Sequence, residues 1–164
     1  MINYLRPTHF LKSFFDIDAT FLKEKDIKII LSDLDGTLAA ENEMGDDNFE
    51  KWLVSLNELG ITLIIVSNNN EKRVENFVSK YGIPGIGKCG KPATKRIKQI
   101  AEIKDADLNQ ILFLGDQVFT DVLCAKRLGV QAAIVTPIPG KETWKTKIKR
   151  NPEKWLFKMW KEIR

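Results

Sequence analysis

The apolar positions of this chain follow two rhythms that alternate along its length. Residues 27–34 read Ile-Lys-Ile-Ile-Leu-Ser-Asp-Leu, a nearly continuous apolar run that predicts a strand buried on both faces. Over 46–59 the spacing turns helical. Phe49, Trp52, Leu53 and Leu56 recur at i, i+3, i+4 and i+7, and Gly60 stops the element. Residues 61–67, Ile-Thr-Leu-Ile-Ile-Val-Ser, predict a second buried strand. A helix is expected over 71–81, with Val74, Phe77, Val78 and Tyr81 on one face and Gly82 as its terminator. A short third strand is expected near 84–88. Pro92 opens a predicted helix running to about Ile103, with Ile97, Ile100 and Ala101 facing inward. Residues 110–115 form the next strand, 121–128 a helix capped by Gly129, and Val130 to Val135 the last strand.

Strands alternating with helices across 27–137 imply a mostly parallel sheet of about five strands with helices on both faces. The 164 residues suit one domain with one core. It divides into an N-terminal helical segment (1–26), a core (27–137) and a C-terminal tail (138–164). In such sheets the chemistry gathers at the carboxyl ends of the strands.

Composition narrows the class of protein. Hydrophobic residues at 43% and charged residues at 29% are the mix of a soluble globular domain. No apolar run is long enough to span a bilayer. Met1 to Phe10 lack the basic stretch, apolar block and small-residue cleavage site of a signal peptide, so a cytoplasmic location is expected. Two cysteines, Cys89 and Cys124, are too few for a disulfide framework and lack metal-ligand spacing. The single histidine, His9, argues against zinc or Ser-His chemistry. The net charge of +4 is concentrated at one end: residues 141–164 carry nine Lys/Arg and three Glu. A cationic tail suits an anionic partner.

The remaining candidates are carboxylates and a lysine. The first predicted strand ends Asp33-Leu34-Asp35-Gly36-Thr37 and the second Ser67-Asn68-Asn69. A later strand ends Gly115-Asp116, with Asp121 five residues on, and Lys91-Pro92 opens the helix before it. The fold argument gathers these loops on one sheet edge. Two carboxylates separated by one residue repel unless a cation lies between them or one is protonated. Mg²⁺ and its preference for hard oxygen ligands answer this, with Asp33, Asp35, Asp116 and Asp121 as the candidate cage. A phosphate monoester would then meet Asp33 as nucleophile and Asp35 as acid and base. Ser67 would donate to a phosphoryl oxygen and Lys91 would neutralise charge. Asp121 could equally cap its helix, Ser67 could do the same for the helix after it, and Asn68 and Asn69 read as turn residues. D-x-D-G-T arises by chance in about one chain per thousand of this length, so the first motif is a strong signal.

In this order the residues resemble the haloacid dehalogenase (HAD) superfamily of aspartyl-phosphate phosphatases over about residues 27–137. Asp33 to Thr37 match the first motif, Ser67 the second, Lys91 the third, and Gly115-Asp116 to Asp121 the fourth. The resemblance implies a Rossmann-like three-layer α/β/α core and the roles assigned above. It also implies that the main-chain carbonyl of Asp35 is the metal ligand, which leaves that side chain for proton transfer. The gaps between motifs, 29 residues from Thr37 to Ser67 and 23 from Ser67 to Lys91, are too short for a cap domain, so the chain looks like the capless class III (IIIA) branch. Its Phe-Leu-Lys-Ser-Phe-Phe-Asp-Ile segment and G-D-Q-x-x-T-D motif are similar to the YqeG-like group, related to phosphatidylglycerophosphate phosphatases. Gly36 departs from the Asn expected there in that group.

An open site draws attention to the chain ends. Asn151-Pro152-Glu153 read as a helix start, followed by Trp155, Leu156, Met159, Trp160 and Ile163 on one face and Lys154, Lys158, Lys161 and Arg164 on the other. The N-terminal stripe is Phe10, Leu11, Phe14 and Phe15. Both stripes fit either packing on the domain or a dimer interface, or an anionic membrane surface at the inner face of the membrane. Three functions compete: a phosphatase for a phospholipid head group such as phosphatidylglycerophosphate, a phosphatase for soluble sugar phosphates or nucleotides with a homo-oligomer partner as lid, and a non-catalytic module binding nucleic acid or protein through its tail. The complete catalytic set argues against the third.

Overall fold

The computed structural model describes residues 2–140 and 153–160. Among the described residues six strands form one sheet: β1 (His9–Phe10), β2 (Ile29–Ser32), β3 (Thr62–Val66), β4 (Gly85–Ile86), β5 (Ile111–Gly115) and β6 (Gln131–Ile134). Their order is β1-β6-β5-β2-β3-β4, and every pairing is parallel. β2 is central, with Ile30 opposite Leu63 on one side and Leu112 on the other. A strand paired on both edges and covered on both faces has no polar side to show, hence the apolar runs.

The pleat sorts those runs into two cores. Ile30, Leu63, Ile65, Leu112 and Leu114 face a core completed by Phe14, Phe49, Trp52 and Phe77. Leu31, Ile64, Val66, Ile111 and Phe113 face the other. Helix α2 (Asp47–Glu58) covers the first, buries the four apolar residues its spacing predicts, and is capped by Asp46, which accepts from Phe49 N. Helix α3 (Glu71–Tyr81) is capped by Asn70 and ends at Gly82 in the left-handed region, φ 65°. The Trp52 indole donates to Ile17 O at 2.9 Å and ties the N-terminal segment to α2. Truncating Phe49 or Trp52 would cost ~3–5 kcal/mol.

Three expectations are corrected. The N-terminal segment is only partly helical: it holds short 3₁₀ turns at Ile2–Leu5 and Phe14–Asp16 and helix α1 (Ala19–Glu24), but also the edge strand β1, which raises the sheet to six strands among the described residues. Thr8 N and Leu11 N donate to the carbonyls of Ala132 and Ile134, so the open edge of β6 overrides the local spacing of Phe10, Leu11, Phe14 and Phe15. The helix expected from Pro92 to Ile103 breaks into a 3₁₀ turn, Ile97–Gln99, and a one-turn helix α4 (Ala101–Lys104). Ile100 between them is extended, and this lets Ile97 and Ile103 both reach the core. The helix expected over 121–128 begins as a π-turn, Val118–Val122, before α5 (Leu123–Leu128).

A helix α6 over 153–160 packs Leu156 and Trp160 into the second core. Trp155 is 56% exposed, so it does not share their face. Ile163, Lys161 and Arg164 lie outside the described residues. Among the described residues no helix is long and apolar enough to cross a membrane.

Candidate active site

The sheet brings the predicted residues to one edge. The carboxyl ends of β2, β3 and β5 surround an open cleft of about 240 Å³ whose lining includes Asp33, Asp35, Ser67, Asn69, Asp116 and Gln117. Asp33 follows the last residue of β2, and its main-chain N–H donates to Leu114 O at 2.9 Å, which extends the ladder to β5 by one residue.

Beneath the cleft lies a buried charge cluster. Asp33 is 8% exposed and Asp121 1%. Lys91 Nζ sits 2.9 Å from Asp33 Oδ1 and 2.7 Å from Asp121 Oδ1. Asp33, Asp116 and Asp121 each offer an oxygen within 4.8 Å of the others. Burial pushes the Asp33 carboxyl up to about 6, with Lys91 opposing and Asp121 reinforcing the shift. Burial works against the Lys91 ammonium, but Asp121 and Asp33 outweigh it and hold its pKa above the ordinary lysine value. Among the described residues, three carboxylates face one ammonium here. That surplus of buried hard-oxygen charge fits a small divalent cation such as Mg²⁺.

Local sequence explains how each group arrives. Asp121 is not an ordinary N-cap. It lies inside the π-turn, where Val122 N reaches back five residues to Gln117 O, and Asp121 Oδ2 accepts from Gln117 N at 3.1 Å. The turn folds its side chain against Gly115, where an added Cβ would come within 2.3 Å of Asp121. Gly36, at φ 86°, has a similar duty: a Cβ there would approach Asp116 Oδ2 to 2.9 Å. Thr37 donates its hydroxyl to Asp116 Oδ1 at 3.3 Å.

Of the four aspartates read as a cage, Asp35 engages side-chain partners of its own. Its side chain is not among the three that converge. Arg73 donates to Asp35 Oδ1 from Nε at 3.2 Å and from Nη2 at 2.9 Å, Asn42 N donates to the same oxygen, and Asn69 Nδ2 donates to Oδ2 at 2.9 Å. The repulsion expected between Asp33 and Asp35 is relieved by separate cations, Lys91 for one and Arg73 for the other.

Ser67 is buried at the end of β3, and its Oγ accepts from Asn69 N at 3.1 Å; the cap of α3 is Asn70. Asn68 is more than a turn residue. Its side-chain amide brackets the main chain of Lys91, donating to Lys91 O at 3.0 Å and accepting from Lys91 N at 2.7 Å. Cys89 and Cys124 are packing residues whose thiols burial pushes up to about 11 and about 12. Sequence reading also missed Glu153. Its carboxylate, on α6, accepts from Val118 N at 2.7 Å and Phe119 N at 3.3 Å and so caps the π-turn that carries Asp121. Its one sequence signal, an acidic residue at a helix start, pointed to its own helix instead.

A parallel α/β sheet with an aspartate directly after the central strand, a lysine bridging it to a distant aspartate and no cap insertion defines a hydrolase of the HAD type. Family models agree: residues 30–90 match haloacid dehalogenase-like hydrolase and residues 88–156 match HAD-hydrolase-like. The chain belongs to the haloacid dehalogenase-like hydrolases, and within them to the capless phosphatases similar to "Probable phosphatase YqeG" of Bacillus subtilis (strain 168). That protein is 33% identical over 155 residues, 94% of this chain and 90% of its own length. Among solved structures, a "predicted phosphoglycolate phosphatase" from Haemophilus somnus 129pt superposes with a TM-score of 0.54 at 18% identity, covering 71% of this chain and 88% of its own. A hypothetical protein from Xanthomonas campestris gives a TM-score of 0.53 at 17% identity over 78% and 75%. These two share the fold.

Proposed function

We propose that this phosphatase is a Mg²⁺-dependent phosphomonoester hydrolase that works through an aspartyl-phosphate on Asp33. The observation that carries the reading is the Asp33–Lys91–Asp121 cluster at the floor of the cleft, with Asp116 beside it. Asp33 and Asp116 are the candidate direct ligands of Mg²⁺. Both oxygens of Asp121 are engaged by Lys91 and Gln117 N, which suits orienting the site. A bound Mg²⁺ would supply neutralisation of phosphoryl and carboxylate charge. The chain's own residues do the rest. An Asp33 oxygen attacks phosphorus as the bond to the leaving oxygen breaks, and Asp35 gives that oxygen its proton. Asp35 then takes a proton from the water that attacks the aspartyl-phosphate, which releases phosphate and restores Asp33. Ser67 and Lys91 hold phosphoryl oxygens.

The substrate we favour is an amphiphile bearing a phosphomonoester head group, such as phosphatidylglycerophosphate. An apolar groove of about 700 Å³ between β1, the end of β6 and α6 shares Asp116 with the cleft, and its lining includes Phe10, Leu11, Val135 and Phe157. Exposed Trp155 stands beside Lys154 and Lys158 on α6, which supports contact with an anionic membrane surface. The test is phosphate release from phosphatidylglycerophosphate in mixed vesicles against release from soluble glycerol phosphate, each with Mg²⁺ and with EDTA. The reading expects a vesicle preference and loss of both activities in EDTA. Equal rates would remove the lipid assignment, and undiminished turnover in EDTA would remove the metal.

A further inference from the structure

We propose that Arg73 is the positioning residue for Asp35, fixing the direction in which Asp35 delivers its proton to the leaving group. The proposal rests on the phosphatase reading above. Arg73 lies in the first turn of α3, only 9% exposed, with its guanidinium 5.6 Å from the centre of the Phe77 ring. A buried guanidinium needs a reason, and this one spends its donors on two targets: Asp35 Oδ1, from Nε and Nη2, and the carbonyl of Glu43.

The two oxygens of Asp35 therefore have different surroundings. Oδ1 is anchored by Arg73 and by Asn42 N. Oδ2 is held by the Asn69 side chain, which lines the cleft together with Asp35, whereas Arg73 and Asn42 do not line it. Oδ2 is thus the oxygen that meets substrate, with Oδ1 as its fixed pivot. As the bond from Asp33 to phosphorus forms and the bond from phosphorus to the leaving oxygen breaks, the proton moves from Asp35 Oδ2 to that oxygen. In the second half the same atom receives a proton from the attacking water, and the Asp33–phosphorus link breaks. Neither transfer asks Arg73 to give or take a proton. Its contribution is aim: without it the carboxylate keeps only neutral partners, and the loop at Glu43 keeps only its other tie to α3, from the Tyr81 hydroxyl to Gly45 O.

Aim matters in proportion to how much the leaving oxygen needs a proton, and this separates positioning from a general structural role. The full chain with Mg²⁺ is assayed as parent, Arg73→Ala, Arg73→Lys and Asp35→Asn, on p-nitrophenyl phosphate and on glycerol phosphate. Arg73→Ala is expected to lower kcat about 100-fold on the alkyl ester and no more than about 5-fold on the aryl ester. Arg73→Lys, which keeps charge without the paired donors, is expected to fall between. Asp35→Asn should show the same selectivity with a larger loss. Equal losses on the two esters for Arg73→Ala, or none on either, overturn the proposal while leaving Asp35 in place if Asp35→Asn remains selective. If Asp35→Asn loses both activities equally, the acid–base reading of Asp35 fails first and takes this one with it. Should Arg73→Ala not fold, Arg73→Gln, which retains a side-chain donor, carries the same comparison.

Discussion

Asp33 and Asp35 are separated by a single residue in the chain and stand in opposite settings. Asp33 sits on the floor of the cleft, fixed by the end of the central strand and neutralised by an ammonium that also holds Asp121. Asp35 lies on the loop side, tied by a guanidinium from α3, an asparagine after β3 and a main-chain N–H. The first is built on strand ends, the second on a loop and a helix start. Alternation along an extended segment would set residues 33 and 35 on one face, and both do line the same cleft, yet each finds its own cation. A pair of carboxylates can thereby divide nucleophilic attack and proton transfer.

The contrast can be broken or sharpened in graded steps. Asp33→Asn should lower turnover about 10⁴-fold or more on every ester, whatever its leaving group, with the circular-dichroism spectrum unchanged. A residual rate near that of the parent would end the nucleophile assignment. Lys91→Met should lower kcat about 10²–10³-fold and destabilise the metal-free protein by ~3 kcal/mol, because two buried carboxylates lose their cation. Added Mg²⁺ should recover part of that stability in denaturant melts. Glu153→Ala strips the buried N–H of Val118 and the part-buried N–H of Phe119 of an acceptor. It should cost ~1–3 kcal/mol and weaken Mg²⁺ binding measured by titration calorimetry, since Asp121 rides on that turn.

The smallest effect is on pH. The Asp33 carboxyl is raised from 3.8 to about 6, so the metal-free folded protein holds this proton more tightly than the unfolded chain does. Its contribution favours folding fully below pH 3.8 and is lost as pH rises through about 6. Urea melts at pH 5 and pH 7 should show the parent losing stability relative to Asp33→Asn as pH rises, and Mg²⁺ should shrink the difference. A parent that gains on the mutant across that interval would contradict the burial that sets Asp33 apart from Asp35.

How much of this was legible in the sequence depended on how local each feature is. Helices α2 and α3 were readable because their apolar spacing and terminating glycines lie within a dozen or so residues. The buried strands, the motif aspartates and Lys91 were readable from continuous apolar runs and from the polar residues that end them. Strand β1 was not, because two residues carry no period and their place is set by the open edge of β6. The π-turn was hidden because its distinguishing bond, Val122 N to Gln117 O, differs from a helical one only in three dimensions. Arg73 looked like one more cation on an amphipathic helix, and its only hint was a position four residues before Phe77.

By itself the sequence determined the alternation of strands and helices, the edge at which the chemistry collects and the residue types gathered there, since periodicity and chain order are properties of neighbouring residues. Only the tertiary structure decided which cation went to which carboxylate. It alone tied Asp35 to Arg73 and Asn69, set Asp121 against Lys91, and brought Glu153 to cap a turn 35 residues earlier. Those pairings depend on how separate elements pack, and the energy that selects them is gained only when burial makes an unmatched charge or an unmet N–H costly.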